Sequence, residues 1–194
     1  MMLAAFGGLT GATLSLGMKG GYNAQNCNSV NVEERPEWRF GLQAGVDCGI
    51  FFPRGCQPLQ FGLETGLFYQ NDRYASAVYG MPSGDLEFND ILIPLLVTLK
   101  ENISAKTDII VGMGWAITKH LNAYYGSLKI PGEDFSIGQA FVCKAEVSFK
   151  IHRKLYLQPS LYYQIHLIED YSALGIRIEN ARSFNLNLGL SYAL

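Results

Sequence analysis

Few side chains in this sequence could do chemistry. Three histidines (His120, His152, His166) and four cysteines (Cys27, Cys48, Cys56, Cys143) are scattered along it, with no CxxC pair and no metal-ligand spacing. Hydrolytic chemistry would need a base, an orienting acid and a nucleophile within hydrogen-bond reach. Ser160 and His166 share one parity of an alternating stretch, but at the rise of an extended chain they stand ~20 Å apart and form no dyad. His152 adjoins a short turn and His120 falls in a loop, neither with a carboxylate and a serine at a matching spacing. The reading is of no catalytic, cofactor or metal site and of a protein that is not an enzyme.

What chemistry remains is electrostatic, and it is tied to a period of two. The closing stretch "SFNLNLGLSYAL" sets Phe184, Leu186, Leu188, Leu190, Tyr192 and Leu194 on one parity, against Ser183, Asn185, Asn187, Gly189, Ser191 and Ala193. The same alternation recurs over Leu14–Tyr22, Trp38–Phe52, Leu59–Gln70, Asp108–Thr118, Gln139–His152 and Leu155–Leu167. An eighth candidate, Leu86–Lys100, is apolar on both parities in its middle and contains Pro94, which calls for a bulge or a local break in pairing. Across the strands the polar parity carries Lys19, Arg39, Lys144 and Lys150 against Asp47, Glu64 and Glu146. These nearly balanced charges predict a polar, hydrogen-bonded ion network inside a narrow barrel.

The composition of that parity decides which face is inside. A soluble barrel would turn a face dense in Lys, Glu and Asp to water, whereas this face is mostly Gly, Gln, Ser and Asn. The apolar parity carries aliphatic residues in mid-strand and aromatics such as Phe51, Phe52, Tyr69, Phe149 and Tyr192 toward the ends, the arrangement of a lipid-facing wall with interfacial girdles. Short connections ("PRGCQP", "ENISAKT" and the turn at Arg153 and Lys154) alternate with four long ones, Asn23–Glu37, Asn71–Asp85, Lys119–Gly138 and Ile168–Arg182. The expected fold is all-β: an eight-stranded antiparallel up-and-down transmembrane β-barrel with short periplasmic turns and long extracellular loops. The longest apolar run, "ILIPLLV", falls far short of the ~20 residues of a spanning helix.

A net charge of −2 gives no electrostatic footprint for nucleic acid. Cys48 and Cys143 lie on the apolar parity and read as small hydrophobes, while a disulfide involving Cys27 or Cys56 stays open. The opening "MMLAAFGGLTGA" is similar to the later part of a secretory signal without its basic start. Residues 1–12 are therefore read as a partial export segment and residues 13–194 as a single barrel domain.

The stretches "FGLQAGVDCGIFF", "LQFGLETGLFYQ", "ILIPLLVTLK", "LYLQPSLYYQ" and "FNLNLGLSYAL" together resemble the PorT-like outer-membrane β-barrel proteins of Bacteroidetes-type bacteria, over roughly Leu16 to Leu194. The resemblance implies an eight-stranded barrel in the outer membrane of a Gram-negative bacterium, in a family some of whose members are associated with protein secretion. The chain departs from the usual barrel ending by closing on leucine in place of an aromatic.

The functional expectation is a non-enzymatic barrel in contact with outer-membrane lipid. Its extracellular loops or periplasmic turns bind a protein partner or serve the envelope or secretion. Two alternatives stand beside it: an outer-membrane lipid-modifying enzyme, and a soluble lipocalin-like barrel that binds an apolar ligand. An open pore is disfavoured, because eight strands leave an interior that side chains just fill.

Overall fold

The computed structural model describes residues 11–29, 38–52, 59–76, 84–130, 137–167, 169–171 and 176–194. Ten strands follow in order: β1 (Thr13–Ser29), β2 (Arg39–Phe52), β3 (Leu59–Ser76), β4 (Gly84–Ser104), β5 (Thr107–Tyr125), β6 (Leu128–Ile130), β7 (Ile137–His152), β8 (Leu155–His166), β9 (Glu169–Tyr171) and β10 (Ile176–Ala193). Eight form the wall, each antiparallel to its neighbour, and β10 returns to pair with β1. The short β6 and β9 are hairpin additions on β5 and β10. The result is a closed eight-stranded antiparallel up-and-down barrel, with no helix among the described residues.

The strands are strongly staggered. Register partners traced once around run Leu16, Cys48, Thr65, Leu95, Trp115, Phe141, Ile165, Arg182 and back onto β1 at Asn26 rather than Leu16. Such a shear tilts the strands and fixes a narrow interior that side chains fill.

The period of two sorts large apolar residues outward and small or polar ones inward. Met18, Leu42, Met113, Leu186 and Leu188 are each more than half exposed, whereas Lys19, Gln43, Glu64, Lys144, Asn185 and Asn187 are buried. Three strands carry an outward aromatic at both ends of this apolar band, with the same spacing: Phe61 and Tyr69 on β3, Phe141 and Phe149 on β7, Phe184 and Tyr192 on β10. That spacing is ~27 Å along a strand and roughly 20 Å along the axis at a tilt of ~40°.

Four expectations need correction. Phe51 faces inward and is buried, because it lies on the same parity as Gly49 and Asp47. The long connections are shorter than expected, since β1, β3 and β5 run on to Ser29, Ser76 and Tyr125, and β4 and β10 begin at Gly84 and Ile176. The alternation there passes from apolar against polar to polar on the outside, so hydropathy loses it while the hydrogen-bond ladder continues. On the outer surface of β3–β5, Asn71 donates to Asn89 at 2.9 Å and Asn89 to Asn122 at 2.6 Å. His120, expected in a loop, is therefore a strand residue, and the chain reverses only at Gly126, whose φ of 56° suits glycine. Finally, Lys150 is exposed beside the short turns, where its N–H donates to Lys106 O. The register slips between Lys150 and His152, which ends the inward alternation.

Pro94 breaks pairing without shifting register. Leu95 and Leu92 pair with Thr65 and Phe68, yet Ile93 and Pro94 have no register partner on β3. Thr65 Oγ1 donates to Pro94 O across the gap at 2.8 Å. Most of the expected export segment (residues 1–10), Cys56 and the Cys27 side chain lie outside the described residues.

Candidate functional site

The interior is layered along the barrel axis, as the inward residues of single strands show. On β3 they run Glu64, Gly66, Phe68, Gln70, Asp72 from the short-turn end upward, and on β7 Ser148, Glu146, Lys144, Val142, Ala140. The charged layer is the densest. Lys19 Nζ on β1 lies 2.6 Å from Asp47 Oδ2 on β2, 2.7 Å from Glu146 Oε2 on β7 and 3.8 Å from Glu64 Oε1 on β3. Lys144 Nζ on β7 lies 2.6 Å from both Glu64 oxygens and 2.8 Å from Glu146 Oε2. Tyr162 on β8 accepts from Lys19 at 3.2 Å, and both ammonium groups sit over its ring.

Two ammonium groups thus face three carboxylates, tying β1, β2, β3, β7 and β8 together across the lumen. Desolvated ions of this kind hold only when each has several partners, and removing one leaves the others uncompensated. Glycines leave the room: a Cβ on Gly17 would run into the Asp47 carboxylate, and one on Gly189 would lie 2.5 Å from Lys19 Cγ.

Of the residues expected in this network, the structure brings together Lys19, Asp47, Glu64, Lys144 and Glu146. Arg39 does not join them; it reaches Asp85 at 2.9 Å on the rim at the opposite end, where both side chains are partly exposed. Lys150 stays at the short-turn end.

Three polar groupings went unread in the sequence. Lys100 and Asp108 pair at 2.9 Å near the short-turn end, where Lys100 lines a cavity of about 20 Å³ with Phe51, Tyr156 and Gln158. Asp72 is a hub: one oxygen accepts from Asn23 at 2.8 Å and from Gln25, the other from Gln70 at 2.7 Å. Asp90 Oδ1 lies 2.6 Å from His120 Nδ1, both buried, with the Phe88 ring 5.1 Å from the imidazole. The pair fixes the imidazole's orientation, yet its burial shuts it away from a substrate. The available signal was the inward parity of the third and fourth strands carried past the apolar band, which places Asp72 and Asp90 inside.

Between these polar layers lies an apolar one of Phe68, Leu92, Leu96, Ala116, Ala140, Val142 and Tyr162. The Phe68 and Tyr162 rings meet across it with centroids 6.3 Å apart. Leu86, Phe88, Ala123, Tyr125 and Ala181 form a second apolar layer toward the long connections. No cluster of three His, Cys, Asp or Glu among the described residues could hold a metal ion.

No protein-family model and no curated protein sequence matches the chain. Solved structures do. OprG, an outer membrane protein of Pseudomonas aeruginosa, is similar at 11% identity and a TM-score of 0.57, over 92% of this chain and 95% of its own. Neisserial surface protein A is similar at 14% identity and 0.54, over 94% and 98%. Ail, the attachment invasion locus protein of Yersinia pestis, is similar at 9% identity and 0.51, over 93% and 98%. At these identities the likeness concerns the fold, which is that of outer-membrane eight-stranded barrels.

Proposed function

We propose that the chain is a non-enzymatic β-barrel of the outer membrane of a Gram-negative bacterium, a rigid scaffold whose connections meet a protein partner. One observation carries the membrane reading: the outward aromatics of β3, β7 and β10 bracket an apolar band of equal length on each strand. Phe61 to Tyr69, Phe141 to Phe149 and Phe184 to Tyr192 each cover nine residues, within the ~9–11 that a tilted strand needs to cross the hydrocarbon. The polar ladder of Asn71, Asn89 and Asn122 begins just beyond Tyr69, as expected where strands leave the bilayer.

The charged cluster and the apolar layer that fill the lumen support a scaffold over a pore, and leave the connections as the variable surface for partner contact. The PorT-like resemblance adds a role in the envelope or in secretion to this proposal. Fractionation of the native cell tests the location: recovery with the outer membrane, with detergent needed for extraction, is expected, and partition into the aqueous phase without detergent sinks the reading. Pull-down of the intact barrel from that membrane tests the partner, and repeated recovery of the barrel alone counts against it.

A further inference from the structure

We propose that the lumen encloses, between its two apolar layers, a chamber that binds a small cluster of water molecules through Gln164, Ser183, Asn185 and Thr118. All four side chains point inward and are at most 2% exposed. Both amide atoms of Gln164, both of Asn185, Ser183 Oγ and Thr118 Oγ1 have no hydrogen-bond partner among the described residues. Buried polar groups of native proteins are almost always partnered, by protein or by ordered water.

The four are neighbours in the wall. Ser183 is the register partner of Gln164, and Asn185 is the next inward position on β10. Thr118 pairs with Gly138 on β7, followed inward by Ala140, the register partner of His166 on β8. On β7, between Thr118 and the β8–β10 wall, the lining is only a hydrogen and a methyl group, with the buried His166 ring beside them on β8. On the opposite wall Asn23, Gln25 and Gln70 all donate to Asp72, and Asn23 Oδ1 is left without a partner among the described residues.

The chemistry of the lining selects the occupant. None of the six atoms belongs to a charged group, and the nearest charged pair, Asp90 and His120 at the next inward positions beyond Leu92 and Thr118, is already engaged at 2.6 Å. Hydroxyls and amides both donate and accept, which suits a molecule that does the same. Phe68, Leu92, Val142 and Tyr162 border the chamber toward the charged layer, and Leu86, Phe88 and Tyr125, on β4 and β5, lie toward the long connections. With about three hydrogen bonds per buried water, six atoms and the waters' mutual bonds suit roughly two or three molecules.

The inference rests on the closed barrel and stands apart from its location in the cell. The test is NMR of the full chain in detergent micelles, reading cross-relaxation between water and the side-chain amides of Gln164 and Asn185. Negative, long-residence water cross-peaks at both amides are expected, and their weakening in the double variant Thr118→Val, Ser183→Ala, which removes two of the lining hydroxyls and keeps both reporting amides. Absent cross-peaks in the wild-type chain overturn the proposal whether or not the double variant folds. So does a high-resolution crystal structure in which Gln164 bonds directly to Ser183, or in which the chamber holds an organic molecule.

Discussion

Lys144 Nζ reaches from β7 across the lumen to lie 2.6 Å from both carboxylate oxygens of Glu64 on β3. Its side chain is 1% exposed and that of Glu64 5%, so neither charge has water to fall back on. In Lys144→Ala, Lys19 alone would face Asp47, Glu64 and Glu146. A loss of about 3–5 kcal/mol is expected from stranding buried carboxylates. The paired change Lys144→Met, Glu64→Leu removes both charges and is expected to cost less than Lys144→Ala. Urea unfolding of the barrel in lipid vesicles measures both. A loss under 1 kcal/mol for Lys144→Ala would remove the cluster from the account of stability.

Leu188 and Asn187 are adjacent on β10 and face opposite ways, 58% and 2% exposed. Leu188 lies midway between the girdle residues Phe184 and Tyr192, so Leu188→Arg places a cation at the bilayer midplane at a cost of roughly 2–4 kcal/mol. Asn187 donates to Gln43 at 2.9 Å, and Asn187→Ala is expected to cost about 1 kcal/mol, one ordinary hydrogen bond. Insertion yield and stability in vesicles compare the two. Equal tolerance at both positions would invert or abolish the assigned facing.

The two facings were legible because they rest on one-residue parity: Lys19, Asp47, Glu64, Lys144 and Glu146 all share the parity of the small residues. Which of the inward charges would meet was not legible, because it depends on the shear. Arg39 shares a parity with Asp47, yet lies four inward positions further along β2 and ends at the rim. The Asp90–His120 pair was hidden for a related reason. It sits past the apolar band, where strands persist on polar ladders that hydropathy reads as loop. Lys150 shows the converse error, for parity carried to a strand end assumes a register that slips there.

Two separate layers block the lumen, and a change in one should leave the other closed. Phe68→Ala removes the ring that meets Tyr162 in the apolar layer, at a cost of about 3–5 kcal/mol. The Lys19 and Lys144 cluster beneath still fills the section. Neither the wild-type barrel nor Phe68→Ala is therefore expected to give steady conductance in planar bilayers. Steady, large conductance from the wild-type protein would show that the cluster is not a plug.

The gap that Pro94 opens between β3 and β4 makes the last prediction. Proline has no N–H to give to the ladder, and Ile93 and Pro94 lack register partners on β3. The Pro94 carbonyl would be orphaned there were it not for the Thr65 hydroxyl at 2.8 Å. At a wall facing hydrocarbon no water can replace that donor. Thr65→Val keeps shape and removes the hydroxyl, with an expected loss of about 1–2 kcal/mol. Thr65→Ser keeps the donor and should stay within about 0.5 kcal/mol of the wild type, in the range of a mild exposed substitution. Hydrogen exchange adds a local reading: the amide of Gly66, which faces Pro94 across the gap, should exchange faster than those of Glu64 and Phe68, which face paired residues of β4, and faster still in Thr65→Val. If the two Thr65 variants are equally stable, the hydroxyl does not close the gap, and the break at Pro94 is held by packing alone.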